Sequence, residues 1–160
     1  MEDALDPDLV NVLLRQALLI GGLVAILNVG IMSIFASVAF RILGIAQDWV
    51  ERGSTGVRFL VLAAVCVVWV QFAATCCVWV WAALYMHLDL FTDFEEALYF
   101  SAVTFTTLGY GDVLLEEGWR LIAGIEAMNG LLMFGFFTAI LIELIRRMRR
   151  NFDSNKHHWF

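Results

Sequence analysis

Two long stretches of this 160-residue chain, Ala17 to Phe40 and Phe59 to Met86, contain no charged side chain. Each exceeds the ~20 apolar residues needed to cross ~30 Å of hydrocarbon. A third stretch, Leu121 to Ile142, is interrupted only by Glu126. All three are expected to be transmembrane helices. The whole composition agrees, with 61% hydrophobic and 16% charged residues against roughly 45–50% and 25% in soluble domains. The first stretch is expected to persist as a spanning helix rather than act as a cleaved signal. Its leader is acidic where a signal is basic, and its apolar run is too long. Cys66, Cys76 and Cys77 fall inside the second stretch and are read as buried packing thiols.

The net charge of −6 conceals an asymmetry. With the C-terminal end on the inner side, that side holds Arg41, Arg52, Arg58, Arg146, Arg147, Arg149, Arg150 and Lys156, leaving Arg15 and Arg120 outside. Most acids then lie outside, including Asp3, Asp89, Asp93, Glu95, Asp112, Glu116 and Glu117. The positive-inside rule places the N-terminus outside and the C-terminus cytoplasmic. The Arg146, Arg147, Arg149, Arg150 cluster abuts a membrane helix, so it reads as an anchor for anionic lipid and not as a nucleic-acid surface.

The segment between the second and third apolar runs carries the function. Gln47 to Gly56 is expected as the inner loop joining the first two helices, and Asn151 to Phe160 as a short cytoplasmic tail. After the outer loop from His87 to Phe91, the order Thr92-Asp93-Phe94-Glu95 predicts a capping box, Thr92 and Glu95 exchanging backbone bonds at a helix start. That helix has room to run only to about Thr106, about 20 Å. It is too short to span, so it is re-entrant and is followed by irregular backbone at membrane depth. Such backbone is tolerated only when buried in protein or lining an aqueous path.

The irregular backbone reads Thr106-Thr107-Leu108-Gly109-Tyr110-Gly111-Asp112. Here the chain resembles the selectivity filter of potassium channels, usually T-V-G-Y-G-D, with Leu108 in place of the commoner Val. A dehydrated potassium ion needs stacked rings of backbone carbonyls, and Gly109 and Gly111 can take the positive φ that this geometry requires. The resemblance implies K+ ligation by the carbonyls of Thr107, Leu108, Gly109 and Tyr110, and by the Thr107 hydroxyl. It implies a homotetramer, because one chain supplies one filter strand. It extends over roughly Phe59 to Arg150, with the Leu98–Thr104 stretch as pore helix and Trp119 onward as inner helix. Gly130 then falls at a gating hinge, although a close-packing glycine is the alternative. The re-entrant helix would point its negative C-terminal end at a waiting cation.

Several departures from the family are visible. Tyr99 and Phe100 stand where Trp is frequent; Tyr99 can donate its hydroxyl to Asp112, whereas Phe100 has no donor for Tyr110. Val103 replaces a glutamate that some members use to brace the filter aspartate. The first helix has no counterpart in two-helix members and lacks the repeated arginines of a voltage sensor.

On the third helix, Leu131, Phe134, Gly135, Thr138 and Ile142 share one face, assigned to the water-filled cavity and gate with lipid as the alternative. Asn28, Gln71 and Asn129 each lie near mid-membrane, with Glu126 about one turn outward of Asn129. They suggest a polar seam joining the three helices, against the alternative of unrelated hydrogen bonds. Glu143 is expected to pair with Arg146 or Arg147. His87 reads as a solvated loop residue, and His157 with His158 makes only a weak metal candidate.

The expected fold is therefore an all-α membrane protein with three transmembrane helices, a re-entrant pore helix and a filter in each subunit of a homotetramer. Residues 1–56 form the extra helix and inner loop, 57–150 the pore domain and 151–160 the tail. The expected function is passive K+ conduction, with no enzymatic constellation and no cofactor beyond the permeant ion. The expected location is a bacterial inner membrane. A transporter-like or non-conducting accessory subunit of a K+ uptake system is the rival reading.

Overall fold

The computed structural model describes residues 7–51 and 55–156, and they form four helices. Helix α1 spans Pro7–Glu51, α2 Thr55–His87, α3 Phe94–Phe105 and α4 Arg120–Lys156. The sole proline of the chain occupies the first position of α1, where the missing N–H costs nothing, and Asp8 adds an acid to the positive helix end. With no later proline to interrupt it, α1 continues through Gln47 to Glu51, so the connection between α1 and α2 is shorter than the expected Gln47–Gly56 loop. At the other end, α4 runs unbroken to Lys156, and most of the expected tail is a continuation of that helix. Among the described residues, Val10–Ile42, Leu60–His87 and Arg120–Glu143 are the three helical stretches long and apolar enough to cross a membrane.

The C-terminal end of α2 is closed by its own backbone. Asp89 adopts a left-handed conformation (φ 53), Leu90 N–H donates to the Tyr85 carbonyl at 3.1 Å, and Asp89 N–H to that of Met86 at 3.2 Å. This left-handed cap reverses the chain sharply, and six residues, 88–93, connect His87 to α3. The cap of α3 corrects the expected capping box. Asp93, in extended conformation, is the N-cap, and its carboxylate accepts from Glu95 N–H at 3.4 Å. Asp93 sits one position closer than Thr92 to the free amides of the first turn, so its carboxylate takes the bond.

Helix α1 packs on both α2 and α4, and α3 is held between α2 and α4. Phe35 of α1 meets Trp69 of α2 with ring centroids 5.0 Å apart, and the Trp69 indole donates to the Phe35 carbonyl at 3.1 Å. Trp81, Tyr85, Phe105, Ile122 and Met133 form the centre of the core where α2, α3 and α4 meet. Cys66 and Cys77 are buried free thiols, as expected, whereas Cys76 is only partly buried. Consecutive helical residues point about 100° apart, and here Cys77 takes the buried direction.

Candidate functional site

The chain between α3 and α4 is irregular, and its first half is tied back into α3. Thr106 closes the helix, its N–H and hydroxyl both donating to the Ala102 carbonyl at 3.2 and 2.7 Å. Thr107 N–H then donates to Thr104 at 2.9 Å, and Leu108 and Gly109 N–H both donate to the Val103 carbonyl, at 2.9 and 3.3 Å. Three successive amides are thereby turned toward the helix that precedes them.

Backbone handedness alternates along this strand. Thr107 (φ 59), Gly109 (φ 56) and Gly111 (φ 76) are left-handed, whereas Leu108 and Tyr110 between them are not. Alternation of this kind turns successive peptide dipoles to the same side. The two glycines were expected to take this conformation. Thr107 was not, because a β-branched residue with positive φ is a genuine outlier and nothing in its side chain advertises it. Backbone strain of that sort costs on the order of 1–3 kcal/mol and concentrates at functional sites.

The strand is exposed in the single chain, Leu108 by 55% and Tyr110 by 68%. An open cavity of about 400 Å³ adjoins it, bordered by Tyr99, Thr104, Thr107, Asp112, Leu114 and Ala127. One side-chain tie crosses from α3: Tyr99 Oη donates to Asp112 Oδ2 at 2.7 Å. That bond holds the Tyr99 hydroxyl above its usual range, because losing the proton would set two negative charges face to face. Phe100 points the other way. It packs edge-on against Tyr85 (5.2 Å) and beside Phe91 (5.3 Å), which anchors α3 to α2. Its missing donor toward Tyr110 is thus a matter of direction as well as residue type.

On α4, Leu131, Phe134, Gly135, Thr138 and Ile142 form one uncovered face, with the Thr138 hydroxyl turned back onto the Phe134 carbonyl at 2.9 Å. Gly130 lies beside that face but is buried. A Cβ added there would overlap the Phe105 carbonyl oxygen and lie 2.8 Å from the carbonyl carbon. The glycine therefore lets α4 approach the last residue of α3, which gives it a packing role whatever bending occurs. Through Gly130 the helix is continuous.

The expected polar seam separates into two clusters. Asn28 Nδ2 of α1 donates to Asn129 Oδ1 of α4 at 3.1 Å, and Asn129 Nδ2 donates to the Ala25 carbonyl at 3.4 Å. Glu126 belongs elsewhere. It accepts the Tyr85 hydroxyl of α2, and Ser101 Oγ of α3 lies 2.5 Å from its Oε1. Gln71 joins neither cluster and is exposed on α2. Equal depth in the membrane put it in the seam, but its azimuth on the helix turns it away from α1 and α4. Of the expected lipid anchors Arg146 is exposed, and the side chains of Arg147, Arg149 and Arg150 lie outside the described residues, as do His157 and His158.

A family model described as "Ion channel" matches residues 59–147, more than half of the chain and all of α3, the strand and the spanning part of α4. No curated protein and no solved structure matches.

Proposed function

Because the chain belongs to this ion-channel family and is an integral membrane protein with three spanning helices, we propose that it is a potassium-selective channel whose pore is a homotetramer. The observation that carries the reading is the strand from Thr107 to Gly111, left-handed at every second residue with its first amides bonded back to α3. Backbone carbonyls of Thr107, Leu108, Gly109 and Tyr110, with the Thr107 hydroxyl, are the proposed K+ ligands. Such a row supplies one quarter of each ring of oxygens that a bare K+ requires, so four copies around an axis complete it. The exposed strand and the open cavity beside it are the surfaces that neighbouring subunits would cover. Three further features fit this reading. The C-terminal end of α3 adds the negative end of a helix dipole behind the ions. Asp112, Glu116 and Glu117 follow the strand as acidic groups that raise the local cation concentration. The positive-inside rule puts that acidic mouth outside and the arginine-rich end in the cytoplasm, as at a bacterial inner membrane.

The test is the reversal potential of the purified protein in a planar bilayer under opposed potassium and sodium gradients, with Gly109→Asp as control. Reversal near the potassium equilibrium value, lost in the control, is expected. Reversal near zero would leave an unselective pore and refute the ligand set. A protein that forms no homotetramer would favour an accessory subunit, and flux saturating at low ion concentration a transporter-like one.

A further inference from the structure

Glu126 is fully buried (0% exposed), within a spanning helix, and its described partners are hydroxyls and not cations. An ionised carboxylate at such a place is costly unless a positive charge meets it. The hydrogen bonds around it settle where the protons can be. Ser101 Oγ lies 2.5 Å from Glu126 Oε1 and 2.9 Å from the Val78 carbonyl oxygen. A serine hydroxyl has one hydrogen, and neither a carbonyl nor a carboxylate has any to give. With Glu126 as a carboxylate, one of those two short contacts would press oxygen against oxygen with no hydrogen between them. With the proton on Oε1, the set closes. Tyr85 donates to Oε2, Glu126 donates to Ser101, and Ser101 donates to Val78. Every buried oxygen then has its partner.

We propose that Glu126 is a neutral carboxylic acid and a positioning residue, relaying hydrogen bonds from Tyr85 on α2 through α4 to Ser101 on α3. The consequence for the pore follows from chain geometry. Two residues beyond Ser101, the Val103 carbonyl receives the amides of both Leu108 and Gly109. A shift of α3 at Ser101 is therefore transmitted to the strand through its own hydrogen bonds, and the relay holds α3 at one depth between the spanning helices. The effect on ion selectivity rests on the potassium-filter reading above; the protonation of Glu126 does not.

Glutamine has the right shape and the right polarity to replace a neutral acid here. Its carbonyl accepts from Tyr85 and its NH2 donates to Ser101, whereas a carboxylate only accepts. Leucine does neither. Full-length protein in planar bilayers is the system, read as the potassium-over-sodium permeability ratio, with tetramer content from size-exclusion chromatography alongside. E126Q is expected to stay within about twofold of wild type, and E126L to lower the ratio by about tenfold, the scale of a buried hydrogen bond or two. Ser101→Ala, which keeps the helix and deletes the link, is expected to move the ratio in the same direction and serves if E126L does not assemble. E126Q as damaging as E126L would overturn the neutral acid, and an unchanged ratio in Ser101→Ala would overturn the positioning role. Infrared difference spectra of wild type against E126Q near neutral pH, where exposed carboxylates are ionised, give a second readout. Loss of a protonated-acid carbonyl stretch supports the neutral acid even if the wild-type pore proves unselective, and absence of any such band overturns it.

Discussion

On one face of α3, Tyr99 is 40% exposed and reaches forward to Asp112; on the opposite face, Ser101 is fully buried and reaches back to Glu126. The two contacts lie two residues apart on a 12-residue helix. Behind α3, hydroxyls, a carboxyl group and aromatic rings of α2, α3 and α4 meet one another, and the Trp81 indole N–H is a buried donor without a partner among the described residues. In front of it, the strand from Leu108 to Asp112 is exposed, with its Leu108 and Gly109 amides bonded back to α3. A single copy thus builds its scaffold with side chains and leaves to backbone the strand that we propose as the conducting surface. Side chains can be matched within one fold, whereas a ring of carbonyls around an ion needs several strands.

The comparison breaks most completely at the strand. Gly109→Ala adds a methyl group that meets nothing within 4 Å, so its effect is conformational and not steric. Positive φ costs an L-residue about 1–2 kcal/mol, repeated in every subunit of the pore. Potassium-selective current should vanish while tetramers still form, as read by reversal potential and size-exclusion chromatography. Full selectivity in this variant would mean that the left-handed strand is not the conducting conformation.

Gly130→Ala attacks the scaffold side instead. The new Cβ overlaps the Phe105 carbonyl, which is backbone and cannot rotate away, so about 1–3 kcal/mol of destabilisation is expected. Gly135→Ala, with open space around it, is the matched control. Thermal unfolding in detergent should separate the two by several degrees. Equal melting would show that α4 stands further from α3 than described.

Next in size is the pair that ties the extra helix to α4. Asn28 and Asn129 are both nearly inaccessible, and Asn28 Oδ1 has no partner among the described residues. Asn129→Leu removes the acceptor for Asn28 and should cost about 1–2 kcal/mol. The double variant with Asn28→Leu should cost less than the sum of the singles, and strict additivity in thermal unfolding would show the two residues uncoupled. Gln71→Leu, exposed and outside both clusters, should change stability by less than about 0.5 kcal/mol.

Smallest is Tyr99→Phe, because its bond to Asp112 is open to solvent. Faster decline of current under sustained voltage, with selectivity kept, is the expected result. Changing pH is a poor substitute for the mutation. The hydroxyl titrates above its usual range, so the bond is intact below about pH 10 and is lost only as pH rises through the raised value. A wild-type time course in Tyr99→Phe would show that the bond does not brace the strand.

Much of this architecture was legible in the residue order. Three uncharged or nearly uncharged runs defined the spanning helices, and the helix between the last two was too short to be a fourth. The Gly-Tyr-Gly pattern marked where backbone would leave the helical region, since only glycine takes left-handed conformations without strain. Depth was also readable, at 1.5 Å per residue, and it grouped Asn28, Gln71, Glu126 and Asn129 at similar levels. Depth alone does not say which neighbour a side chain meets.

Hydropathy and length by themselves determined that the chain has three runs able to span a membrane and a segment too short to span between the last two, because desolvation acts on local sequence, while the filter resemblance pointed to the two glycines of the strand. Only the tertiary structure decided that Gln71 faces away, that Asn28 meets Asn129 and that Glu126 bridges Tyr85 to Ser101. It also decided that Thr107 is left-handed and that Gly130 is a seat for Phe105. Those outcomes depend on the azimuth and separation of packed helices, which are set by side-chain interlocking across the core and have no signature in any one helix.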